Sequence, residues 1–161
     1  MKSFRSLVVF AAAWAVAGPA VVPAQTVETA VMTVTATVQS GCSLTGGTLD
    51  FGTYTSGQST AKDVTGKISF ANCNGNLSFE LDGGQSGNVD QRKMKAGNNT
   101  LAYQLFRNAA RSNIFGTGAR AQSYTLLVPG SGTLDVYGRI AANQVVPEGT
   151  YSDTVNITLT F

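Results

Sequence analysis

Apolar and polar residues alternate one for one in this chain, most completely at its end, where Val155, Ile157, Leu159 and Phe161 are interleaved with Thr154, Asn156, Thr158 and Thr160. A period of two places every second side chain on one face of an extended strand, so the pattern predicts strands with one face against a core and one toward water. It recurs at 30–38, 49–54, 64–71, 77–82, 101–106, 123–128, 134–141 and 151–161, with Gly46-Gly47, Gly83-Gly84, Gly97-Asn98-Asn99 and Gly130-Ser131-Gly132 supplying turns. Beyond the first residues no apolar face of helical spacing lasts three turns, and Asn108 to Asn113 predicts one turn at most. The expected fold is therefore all-β, an immunoglobulin-like sandwich of about seven short strands. No long Pro/Ser linker, composition break or internal repeat divides it.

The chain opens with Lys2 and Arg5, continues with an apolar run from Leu7 to Ala17, and reaches a small-residue cleavage pattern at Val22-Pro23-Ala24. This reads as a secretory signal peptide over 1–24, with the mature chain starting at Gln25, because the run is too short to span a bilayer. The leader carries two basic residues and no acid, so the mature chain has no net charge and no electrostatic footprint for nucleic acid or an anionic membrane. Arg92-Lys93-Met94-Lys95, the one local basic cluster, is expected to be a solvated loop. Cys42 and Cys73 are an even pair in an exported chain and are expected to form a disulfide worth roughly 3–4 kcal/mol by loop closure.

A strand at a sheet edge leaves backbone N–H and C=O groups unpaired, and a missing neighbour strand would also uncover apolar side chains. Such a defect can be filled by a partner's strand. Here the donor would lie in 25–40, with Ala30, Met32, Val34, Ala36 and Val38 on one face at steps of about 6.6–6.8 Å. Burying them would yield on the order of 6–10 kcal/mol gross. The same residues could instead be the domain's own first strand, or the early part could be donated and the later part paired at home. Sequence pattern leaves those readings open.

Several motifs, in order, resemble the spore coat protein U family, which includes subunits of archaic chaperone-usher pili. They are Gly41-Cys42, Leu49-Asp50-Phe51-Gly52, Ile68-Ser69-Phe70-Ala71-Asn72-Cys73, Leu81-Asp82-Gly83-Gly84, Arg92-Lys93-Met94, Leu101 to Phe106, Val136-Tyr137-Gly138-Arg139-Ile140, and the tail from Gln144 to Phe161. The resemblance implies an incomplete immunoglobulin-like domain over 41–161, completed by donor-strand exchange between identical or related pilin subunits. It also implies a periplasmic chaperone that grips the C-terminal strand, here Val155, Ile157, Leu159 and Phe161, and an outer-membrane usher. Surface fibres that serve attachment and biofilm formation would follow, as a rod or adaptor subunit; a spore-coat role is the alternative.

Catalytic chemistry finds little footing. Without histidine there is no Ser-His-Asp or Cys-His arrangement, and no zinc-ligand spacing accompanies the two cysteines. Asp82 and Asp90 are the one carboxylate pair that could meet across a Gly-rich loop, and Leu81-Asp82-Gly83-Gly84 is expected to be a hairpin turn. The Asn76, Asn98 and Asn156 glycosylation patterns read as chance matches. Tyr124, Tyr137, Phe106 and Phe115 could form a sugar-binding platform, which makes a monomeric lectin-like module the rival reading.

Overall fold

The computed structural model describes residues 27–38 and 41–161; the predicted leader lies outside the described residues. The chain divides between Thr37 and Val38. Among the described residues, 27–38 carry no strand ladder and every side chain there is exposed, although 30–38 has the pattern of a strand.

The second unit is all-β, with β1 (Ser43–Thr45), β2 (Lys62–Leu81), β3 (Lys93–Ala96), β4 (Asn99–Ala102), β5 (Gln104–Phe106), β6 (Gln122–Ile140) and β7 (Ile157–Thr160), plus two short 3-10 turns. The pairs of strands predicted at 64–71 and 77–82, and at 123–128 and 134–141, are each one continuous strand. β2 and β6 form a long antiparallel ribbon that pairs Lys62 with Ile140 at one end and Phe79 with Gln122 at the other. On its outer face the cross-strand partners Asp63 with Arg139 and Lys67 with Asp135 are ion pairs at 2.7 Å. They oppose a register slip more than they add stability.

This ribbon bends back on itself at residues 72–75. Asn72 and Gly75 take positive φ (56° and 84°), and the register shifts between Phe70 and Cys73 and again between Cys73 and Gly75. Inward-facing residues are consequently even-numbered before the bend (Ile68, Phe70) and odd-numbered after it (Leu77, Phe79, Leu81). A straight strand would hold Phe70 and Phe79 about 30 Å apart, yet their rings lie 5.3 Å apart. The ribbon therefore supplies both layers of the sandwich, a corner made by bulges. The Cys42–Cys73 disulfide sits at that corner, as expected from the cysteine count.

β6 occupies one side of β2 along both halves, so β1 (Ser43 opposite Ala71) and β7 (Leu159 opposite Phe79) lie on the other side, one per layer. β5 pairs with the second half of β6, and β3 with β4 makes a separate hairpin. The core holds Phe51, Ile68, Phe70, Leu77, Phe79, Leu81, Leu101, Leu105, Phe115, Leu134, Val136 and Ile140.

Several local expectations are corrected. Residues 49–54 form no strand; the segment lies across the sheet, with Leu49 and Phe51 over Gly138, where a Cβ would come within 2.8 Å of Leu49 and 2.9 Å of Phe51. Of 151–161 only β7 is a strand. The 101–106 stretch splits at Tyr103 between two sheets, whereas Asn108 to Arg111 does make a single turn, Arg111 donating to the Asn108 carbonyl. The basic cluster is no solvated loop: Lys93 begins β3 and Arg92 is fully buried.

Candidate functional site

Between the two layers, on the side of β2 away from β6, the sandwich is open. A groove of about 770 Å³ runs there between residues 47–54 on one wall and 146–157 on the other. Its floor is core: Ile68, Leu81, Leu101, Leu105, Val136 and Ile140. At the corner end the walls converge, a Cβ on Gly46 lying 3.4 Å from Ile157. At the far end Ser56 Oγ accepts from the Val146 N–H at 2.9 Å and Tyr54 Oη donates to the Ala141 carbonyl at 3.0 Å.

The second wall is fastened by a backbone bridge between Lys95 and Ser152 (2.8 and 3.0 Å) and by side chains. Asp82 accepts from the N–H of Gly84 (2.9 Å), the N–H of Asn156 (3.0 Å) and the Asn156 amide (2.6 Å). Burial works against the charged form of Asp82, but those hydrogen bonds and the charge of Arg92 hold its carboxyl below the usual value. Asp153 accepts from Tyr103 Oη (2.6 Å) and from the Gln85 N–H (2.8 Å). Burial, then that bond to Asp153, pushes the Tyr103 phenol up. Arg92 stands behind both, donating to the carbonyls of Leu81, Asp82 and Phe115 and to Gln104 Oε1. Burial lowers its pKa, opposed by Tyr103, Asp82, Asp153 and Asp90.

Of the predicted edge residues, Val155 and Ile157 line the groove; Leu159 packs half-buried opposite Phe79, and Phe161 is 55% exposed. Ala30, Met32, Val34, Ala36 and Val38 are exposed throughout. Sequence reasoning missed Tyr103, Tyr151, Val146 and Met94 as groove residues; the alternating runs 101–106 and 151–161 contain Tyr103 and Tyr151, Val146 and Met94 lie outside every such run, and only the ribbon's bend decides that this interior is uncovered.

Other expected constellations are not assembled. Asp82 is engaged by Gly84 and Asn156, and Asp90 pairs with Arg120, so no carboxylate dyad forms. Gly83 and Gly84 lead into a 3-10 turn instead of a hairpin. Phe115 is fully buried, Tyr124 stands edge-on to Phe79, and Tyr137 lies under Arg111, so the four aromatics share no platform. Among the described residues no three His, Cys, Asp or Glu side chains gather as a metal site requires.

Residues 28–158 match the Spore Coat Protein U domain. The chain belongs to that family. Protein U of Myxococcus xanthus is 37% identical over 84 residues, which is 48% of this chain and 45% of that protein, so the chain spans about half the length of this curated relative. Solved structures share the spore coat protein U chain's fold. A pre-assembly complex of chaperone CsuC and tip adhesion subunit CsuE from the archaic chaperone-usher Csu pili of Acinetobacter baumannii matches at TM-score 0.55 and 23% identity, over 74% of this chain and 39% of that one. A chain of a chaperone-usher pilus whose rod uncoils matches at 0.54 and 19%, over 89% and 99%. The P pilus rod subunit PapA matches at 0.52 and 20%, over 74% and 97%. The fold is thus the immunoglobulin-like pilin fold.

Proposed function

We propose that this protein is a structural subunit of a chaperone-usher pilus, not an enzyme, and that it polymerises by laying its N-terminal arm into the open groove of the next copy. The observation that carries the reading is the groove itself: an apolar slot along a sandwich edge where β7 has one strand neighbour, in a chain that also carries an exposed arm of alternating residues. An extended strand in that slot would satisfy the free backbone of β7 and cover the floor with Ala30, Met32, Val34, Ala36 and Val38.

The same groove in a lone subunit is an aggregation hazard, which supports a chaperone that occupies the edge of Val155, Ile157, Leu159 and Phe161 until handover at an outer-membrane usher. The protein then passes through the periplasm to a fibre on the cell surface, with attachment and biofilm formation as its use. Deleting residues 25–38 tests this. The expected result is exported, folded subunit with no fibres by electron microscopy; normal fibres from that variant overturn the reading.

A further inference from the structure

Outside the arm, three aliphatic side chains of the described residues are nearly bare. They are Leu127 (93% exposed), Val128 (70%) and Val145 (84%). They sit at opposite ends of the domain. Leu127, Val128 and Pro129 bulge out between Leu126 and Gly130, which pair with Gly75 and Cys73, so they crown the corner that the Cys42–Cys73 disulfide pins. Val145 lies beyond the other end of β6, about 33 Å along the strand from Gly130, against Gly57 and beside the Ser56–Val146 rim of the groove.

We infer that the Leu127–Val128 knob of one copy seats on the Val145 rim of the next, a second contact at every joint of the fibre. The inference rests on the donor-strand reading above, and its geometry follows from strand direction and chain length. A strand that completes an immunoglobulin-like sandwich runs antiparallel to its last strand. The 152–160 segment runs from the far end toward the corner, Ile157 opposite Leu81 and Thr160 opposite Ser78. A donated arm therefore runs from the acceptor's corner to its far end and leaves the groove beside Val145. From Val38 to Cys42 the chain reaches at most about 14 Å, and Cys42 is bonded to the donor's own corner. That tether holds the donor's knob against the acceptor's rim. The two surfaces differ and sit at opposite ends, so the contact is heterologous and propagates along an open fibre.

The test is a cysteine pair, Val128→Cys with Val145→Cys, in the full chain exported by its producing cell, with each single substitution as a control. After oxidation, non-reducing electrophoresis of boiled fibres should show a covalent ladder for the pair and none for either single variant. Fibres from the pair that resist SDS unheated but give only monomer after boiling overturn the contact and leave donor-strand exchange standing. Native fibres that dissolve in unheated SDS overturn both. Should the cysteine pair fail to assemble, Leu127→Ser with Val128→Ser decides: a shorter persistence length at unchanged SDS resistance supports the contact, and unaltered stiffness removes it.

Discussion

Arg92 holds the second wall of the groove from beneath. Its side chain is wholly buried and meets four backbone carbonyls, those of Leu81, Asp82, Val89 and Phe115, and one side-chain amide, and a hydrogen bond from a charged donor is worth about 1.5–3 kcal/mol. Arg92→Met should lower stability by at least about 3 kcal/mol through the carbonyls it orphans, read as a lower urea midpoint and reduced export. Lys cannot replace the planar fork that reaches Leu81, Asp82 and Phe115 together, so Arg92→Lys should fall close to Arg92→Met; native stability in that variant would deny the network its role. Asp82 adds an acid sensitivity. With a folded pKa held below 3.8, its stabilisation is complete above the unfolded value and is withdrawn as pH falls through it toward the lower folded one. Asp63, where the hydrogen bond from Arg139 dominates, and Asp135, where that from Lys67 does, titrate the same way. Comparison with Asp82→Asn isolates the Asp82 share: the variant should lose less stability than the native chain between about pH 6 and about pH 3, and equal losses would refute this.

At the scale of elements, the arm and the bent ribbon have opposite characters. The arm is legible residue by residue, because alternation alone assigns Met32 and Val34 to one face, and its pattern implies extended chain without supplying a neighbour to pair with. Met32→Asp would bring a charge into an apolar slot, whose desolvation is opposed by no partner on the floor. Fibres of that variant should come apart in SDS at a lower temperature than native fibres, and unchanged heat resistance would count against the arm's insertion. The ribbon was only half legible. Ile68, Phe70, Leu77 and Phe79 announce strands, but two strands and one bent strand share that pattern. The parity switch at Asn72 to Gly75 separates them, and it depends on backbone conformation that side-chain periodicity does not record.

For the whole molecule, an open sandwich has a solubility problem before it has a function. The groove leaves the apolar side chains of Leu49, Met94, Val146, Tyr151, Val155 and Ile157 only half-buried, and a subunit expressed without a partner should elute from size exclusion as aggregates or oligomers, whereas chaperone co-expression should give a discrete complex. A stable native monomer would leave the groove without a role in assembly. The sequence by itself determined the all-β class, the inward residues of β2, β7 and the second half of β6, the cysteine pair and the alternating arm, since each follows from spacing along the chain. Tertiary structure alone decided that Arg92 is interior and not part of a solvated loop, that 49–54 crosses over Gly138 as a wall, and that the two layers stay apart at one edge. Those outcomes depend on which distant segments meet once the ribbon folds over at its corner, and residues such as Gly138 and Phe51, 87 positions apart by their numbers in the chain, carry no local sign of one another.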